Sequence, residues 1–84
     1  MATSAIKFDE RVGTVEVSAS ELIVRLRDGR LLSAPLDWFP RLKSATPEQR
    51  ARWEIAAAGL GIHWPDLDED IGVAGLLQGS GRSD

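Results

Sequence analysis

The stretch GIHWPDLDED, residues 61–70, carries the chain's single histidine, His63, and then sets Asp66, Asp68, Glu69 and Asp70 within five consecutive positions. Carboxylates at that density suit a hard cation. Asp66, Asp68 and Asp70 reproduce the first three oxygen-ligand positions of an EF-hand calcium loop. The remainder of the loop departs from the pattern: its sixth position, where the turn requires glycine, is Ile71, and its twelfth, where a bidentate glutamate belongs, is Leu77. Zinc would need three or four ligands, and one histidine with no cysteine leaves carboxylates to supply the rest. No metal is therefore expected. Gly59, Gly61, Gly72 and Gly75 fit no phosphate-binding glycine pattern, so no cofactor is expected either.

Catalysis finds equally little support. The serines at 4, 18, 20, 33, 44, 80 and 83 fall in strands, turns or tails, and none sits in a glycine-flanked nucleophile elbow. Paired carboxylates perform acid and base work only where burial or a like charge separates their pKa values, which requires a cleft that so short a chain can hardly build. No catalytic residue is assigned and a non-enzyme is expected. His63 reads as a structural residue on a strand, beside Trp64 and within reach of the carboxylate run.

Charge is distributed unevenly. Residues 22–52 carry seven basic side chains (Arg25, Arg27, Arg30, Arg41, Lys43, Arg50, Arg52) against Asp28, Asp37 and Glu48, whereas residues 61–84 carry five acids against Arg82. Arg41, Lys43, Arg50 and Arg52, close in sequence to Trp38 and Phe39, make a candidate basic patch; phosphate and stacking contacts use such residues, and so does an ordinary solvated helix face. A net charge of −3 lacks the basic excess of a free nucleic-acid binder. A protein partner is the leading expectation, met by Arg41, Lys43, Arg50 and Arg52 or by Asp66 and Glu69, since complementary charge steers association; nucleic-acid association or an accessory role in transcription is the alternative.

The elements that must position these groups follow from periodicity and turn chemistry. VGTVEV, residues 12–17, alternates as a first strand. Leu22 to Arg27 and Arg30 to Ala34 flank Asp28-Gly29, a pair that tolerates the positive φ of a tight turn, and form a β-hairpin with Leu22, Val24 and Leu26 on one face. A two-residue loop pairs Leu26 with Leu31; a bulged turn shifts that register. Pro35 and Pro40 bracket a bend that tucks Trp38 or Phe39 beneath it. Residues 46–59 read as the main helix, with Thr46 as N-cap, Pro47 first, Glu48 in the first turn and Gly59 as the stop. Ala51, Ile55 and Ala58 would share its face, with Trp53 and Ala57 on an adjoining stripe. GIHW gives a further short strand ended by Pro65, and Ile71, Val73, Leu76 and Leu77 a short terminal helix closed by Gly79. Trp38, Trp53 and Trp64 are expected in the core, while some of Asp68, Glu69 and Asp70 are expected to accept amide hydrogen bonds at the start of the last helix.

The resulting expectation is an α+β fold: a small antiparallel sheet (N-terminal strand, β-hairpin and further short strand) packed against one main helix and a short C-terminal helix. Residues 1–79 form one compact domain and 80–84 a flexible polar tail. With no cysteine, no signal peptide and no run of about 18 apolar residues, a soluble cytoplasmic protein with no membrane partner is expected. An exposed hairpin edge would also invite self-pairing.

DGRLLSAPLDWFPRLKSATPEQRARWEI followed by GIHWPDLDEDIGVAGLLQG resembles the bacterial family classified as domain of unknown function 2442, over residues 12–79. The pattern runs through Asp-Gly-Arg, a proline-leucine step, Trp-Phe-Pro-Arg-Leu, an Ala-Thr helix start and Ile-His-Trp-Pro-x-Leu-Asp-Glu-Asp-Ile. Gly72 departs from it, standing where the family commonly has serine. The resemblance implies a compact α+β domain with a small antiparallel sheet and helices, and no established catalytic residues. Some longer relatives carry it ahead of a helix-turn-helix domain. Stand-alone members are often encoded beside another small protein, an arrangement similar to a toxin–antitoxin pair, which implies an antitoxin-like role with a small partner protein.

Overall fold

The computed structural model describes residues 8–78; the expected tail at 80–84 and the stop at Gly79 lie outside them. Three strands come first: β1 (Val12–Val17), β2 (Glu21–Leu26) and β3 (Leu31–Pro35). A 3₁₀ turn (Leu36–Trp38) and two short helices, α1 (Pro40–Lys43) and α2 (Pro47–Ala51), lead to β4 (Glu54–Ala56), β5 (Gly61–Trp64), β6 (Glu69–Gly72) and α3 (Val73–Gln78). The strands form two antiparallel sheets, ordered β1-β2-β3 and β4-β5-β6. The fold is α+β as expected, but with two three-stranded sheets instead of one.

The β2–β3 hairpin takes the bulged alternative. Arg25 pairs with Leu31 and Val24 with Leu32. The Gly29 amide donates to the Leu26 carbonyl (3.0 Å) and the Leu26 amide to that of Arg30 (2.8 Å), so Arg27-Asp28-Gly29 is a three-residue loop with Gly29 at φ +98° in the bulge position. Asp28 accepts from the Arg30 amide at 3.1 Å, closing the turn from its side chain. This register places Leu22, Val24 and Leu26 on the inner face, each at most 1% exposed.

Both sheets feed one core. Val12, Val15 and the β2 residues meet Leu36, Phe39 and Leu42 from the connecting segment, and Ile62, Trp64, Ile71 and Val73 from the second half. At about 1.5–3 kcal/mol for each large aliphatic side chain removed from water, this cluster is the main cohesive term of a chain without disulfides. The bend between Pro35 and Pro40 buries Phe39, while Trp38 stays half-buried with its ring edge-on to Phe39 at 6.4 Å. Trp53 is also half-buried against the core, and Trp64 is fully buried.

The long helix over 46–59 does not form. Its start is correct: Thr46 accepts from the Gln49 amide (3.1 Å) while Gln49 accepts from the Thr46 amide (2.9 Å), a complete capping box. The helix then ends at Ala51. Glu54, Ile55 and Ala56 instead pair with His63, Ile62 and Gly61, leaving Ile55 exposed instead of on a buried helix face. Alanine's advantage in a helix is a few tenths of a kcal/mol over most residues. Against that, β5 is a central strand carrying buried Ile62 and Trp64, and β4 supplies its second ladder. Ala57, Ala58 and Gly59 then turn the chain with φ of +54°, +57° and +93°. A Cβ at Gly59 would lie 2.7 Å from Cγ of Arg11, whose stem crosses this turn, so glycine serves there both for its φ and for the close approach.

The second correction concerns residues 69–72. They form β6, with Ile71 paired to Ile62, so the terminal helix begins two residues after Ile71. Its first amide, from Val73, donates to the Leu60 carbonyl at 2.9 Å, whereas Asp70 turns to His63. The expected capping of this helix by the carboxylate run is replaced by a strand pairing, because Ile71 reaches the core only when this segment runs beside β5.

Candidate functional site

The structure brings the sequence-derived candidates together, largely as partners of one another. β5 and β6 are joined by the loop Pro65–Asp68, which the Leu67 amide closes onto the Trp64 carbonyl at 3.1 Å. Asp68 sits at φ +51°, a left-handed conformation that aspartate tolerates better than most residues. Two arginines from the preceding helical segment clasp this loop. Arg41 donates from Nη1 to the Asp68 carbonyl at 2.7 Å, and Arg52 pairs through Nη1 with Asp66 Oδ2 at 3.0 Å.

The other two basic candidates are also engaged. Arg50 donates from Nε to the Leu42 carbonyl (3.1 Å) and from Nη2 to the Lys43 carbonyl (2.8 Å), satisfying carbonyls at the end of α1. Lys43 pairs with Asp37. The Arg50 carbonyl in turn accepts from Trp64 Nε1 at 3.1 Å, so the fully buried indole fixes the exit of α2. Arg41, Lys43, Arg50 and Arg52 thus bind the connecting segment to itself and to the β5–β6 loop. Any partner using these cations would compete with contacts internal to the chain.

His63 and Asp70 are register partners on β5 and β6, with Nδ1 of the imidazole 2.7 Å from Asp70 Oδ1. Glu54 is the register partner of His63 on its other side. Among the described residues, no group of three or more histidine, aspartate or glutamate side chains is placed to hold a metal ion. Glu69, paired with Trp64 and half-buried, has its carboxyl pushed above the usual range by burial; nearby Arg41 draws it back and the Asp70 and Asp68 charges add to the rise. Asp66, Asp68 and Asp70 are exposed. The carboxylate run is therefore a strand-and-loop signature whose charges face water or pair with arginine and histidine.

A second polar cluster, not anticipated from the sequence, staples the segment before β1 onto the hairpin turn. Asp28 Oδ2 accepts from the Asp9 amide (3.0 Å) and from Arg30 Nε (3.0 Å), and its side chain is 5% exposed. Arg30 Nη2 adds an ion-pair contact at 2.8 Å without the alignment of a hydrogen bond. The Arg30 guanidinium, followed by the amides of Arg30 and Asp9, holds the Asp28 carboxyl at about 2, well below its ordinary 3.8, against the opposing effect of burial. The signal for this cluster was the Asp-Gly-Arg turn itself; its connection to Asp9 is a tertiary contact across 19 residues.

A concavity lies elsewhere, along β1. Val15, Glu16, Val17, Ser18 and Ala19 form one wall, and Pro47, Arg50, Ala51 and Trp53 the other, around an open groove of about 510 Å³. The strand was legible in the sequence. That its outer side would remain open, facing Trp53, was not.

These features define a small two-sheet α+β protein whose charged residues chiefly secure its own loops and which presents an open groove beside an edge strand. The chain belongs to the family described as Protein of unknown function (DUF2442), which it matches over residues 12–82. It is similar to a protein of unknown function from Rhodospirillum rubrum whose crystal structure shares 29% identity over 88% of this chain and 92% of that one, with a TM-score of 0.73. It is also similar to an uncharacterized protein from Chromobacterium violaceum solved by NMR, at 31% identity over 87% of this chain and 69% of that one, with a TM-score of 0.74. No curated protein matches the chain significantly.

Proposed function

We propose that this chain is a non-enzymatic protein-interaction module that binds a small partner protein, as the antitoxin-like member of a two-gene pair. The observation that carries this reading is the groove along β1, which combines a strand edge unpaired among the described residues with the half-buried Trp53 and the exposed Ala51 and Pro47 on a surface otherwise rich in charge. Exposed Leu31, Ile55, Leu60 and Leu77 add apolar area elsewhere on the molecule. Nucleic-acid association is the weaker reading, because Arg41, Arg50 and Arg52 all donate within the chain and Lys43 is paired with Asp37.

Co-expression with the product of the adjacent small gene, followed by size-exclusion chromatography, tests the proposal. One peak containing both chains is expected; separate elution at micromolar concentrations sinks it. A mobility shift with duplex DNA at low salt, lost steeply as salt rises, would move the assignment to nucleic acid.

A further inference from the structure

Among the described residues the four sheet edges are unequally protected. β3 ends in Pro35, which has no amide to offer, and packs against α3. β4 has three residues, and β6 has four before the chain enters α3. β1, at six residues the longest of the four, has α2 packed against it and borders the groove. Its hydrogen-bonding phase follows from its neighbours. The Ser18 amide donates to the Glu21 carbonyl and the Arg27 amide to the Arg11 carbonyl, so the odd-numbered residues of β2 bond to β1. Glu16, opposite Ile23, therefore faces β2, whereas Val15 and Val17 direct their amides and carbonyls outward. Such an edge accepts another strand, and native proteins ordinarily blunt it.

Charge selects the occupant. Glu16 stands on the open strand, and Glu48 and Glu54 adjoin Pro47 and Trp53 in the chain; among the described residues none of the three forms an ion pair. Among the described residues the one cation lining the groove, Arg50, spends its guanidinium on the α1 carbonyls. In an antiparallel self-pairing that opposes Val15 to Val17 of a second copy, Glu16 would meet Glu16 directly, and like charges so placed repel. Each copy also carries a net −3.

We propose that the edge of β1, unpaired among the described residues, is the docking site for an extended, basic segment of the partner polypeptide, which adds to the first sheet as a fourth strand beside Val15–Ser18. Its main chain bonds to the outward groups of Val15 and Val17. Side chains on one face rest on Val17, Ala51 and Trp53, and lysine or arginine on the other meets Glu16. This rests on the interaction-module reading and specifies where and how the partner binds.

The probe is a capped heptapeptide alternating lysine and valine, titrated into the full-length isotope-labelled protein. Shifts and slowed exchange confined to the Val15 and Val17 amides and the Trp53 indole are expected. The same peptide N-methylated at alternate residues should not bind, nor should its glutamate counterpart. Glu16→Lys, at an exposed position, exchanges one surface attraction for a repulsion and should weaken the lysine peptide roughly tenfold while admitting the glutamate peptide. Val17→Pro removes an outward amide without removing a bond to β2 and should abolish binding, with circular dichroism checking the fold. Equal binding of methylated and unmethylated peptides, or shifts elsewhere, overturns the proposal. Co-elution separates it from the broader reading. A neighbouring gene product that binds wild type and Val17→Pro equally overturns the edge proposal alone. Protection of β1 by the peptide when that gene product elutes apart supports the edge and removes only the choice of partner.

Discussion

Replacing Ala58 by glycine should stabilise this protein, although alanine is the better residue in any helix. Ala58 has φ 57° and ψ 34°, in the left-handed region, between Ala57 and Gly59 in the same region. That conformation costs an alanine about 1–2 kcal/mol, because its Cβ crowds the following carbonyl. Glycine removes the crowding but has more freedom to lose on folding, which takes back about 0.5–1 kcal/mol. The balance is a gain centred on about 0.75 kcal/mol, within a span of about 0–1.5 kcal/mol. For a chain of this size the central value corresponds to a rise in Tm of roughly 3–6 °C. If residues 46–59 were one helix, the same substitution would cost about 1 kcal/mol, so the two structures predict opposite signs. Thermal melts and urea titrations on Ala58→Gly and wild type, under identical buffer conditions, decide between them. A fall in Tm, or a urea midpoint lowered at constant m-value, would refute the left-handed turn and the β4–β5 pairing that depends on it.

Asp28 supplies a pH test. Its folded pKa of about 2 lies below the ordinary 3.8, chiefly through Arg30, so its contribution to stability is fully present above about pH 4 and is lost as pH falls through about 2. Asp28→Asn keeps an acceptor for the turn but removes the charge, and urea midpoints followed from about pH 5 down to about pH 2 should show a shallower acid dependence than wild type; an identical slope would place the acid sensitivity elsewhere. Trp64→Phe should destabilise by about 1–3 kcal/mol through the unpartnered Arg50 carbonyl, and by more through lost contacts, whereas Trp38→Phe at its half-buried site should cost less. Equal midpoints for the two tryptophan variants would show that the indole bond does not anchor α2.

Much of the molecule follows from short-range chemistry that residue order alone carries. Asp28-Gly29 specifies a tight turn, Thr46 and Pro47 open a helix, Pro65 ends a strand, and the apolar alternation of Leu22, Val24 and Leu26 selects their buried face. Each involves a few neighbouring residues and one or two dihedral preferences, so no distant contact is needed to read it. The resemblance to the family was legible for a related reason, since the Trp-Phe-Pro-Arg-Leu and Ile-His-Trp-Pro blocks hold many such constraints in fixed order.

Tertiary structure decided the rest. Residues 54–59 favour a helix locally, but Ile62 and Trp64 on a central strand required a second ladder, and that non-local demand outweighed alanine's small propensity. The four basic residues at 41–52 were identifiable as a cluster, yet whether they faced a partner or their own chain turned on which acceptors came within about 3 Å. The acceptors of the three arginines are Leu42, Lys43, Asp66 and Asp68. The β1 groove was invisible for the same reason. A strand's alternation reports which side chains are buried, while the openness of its edge is a property of everything that packs, or fails to pack, beside it.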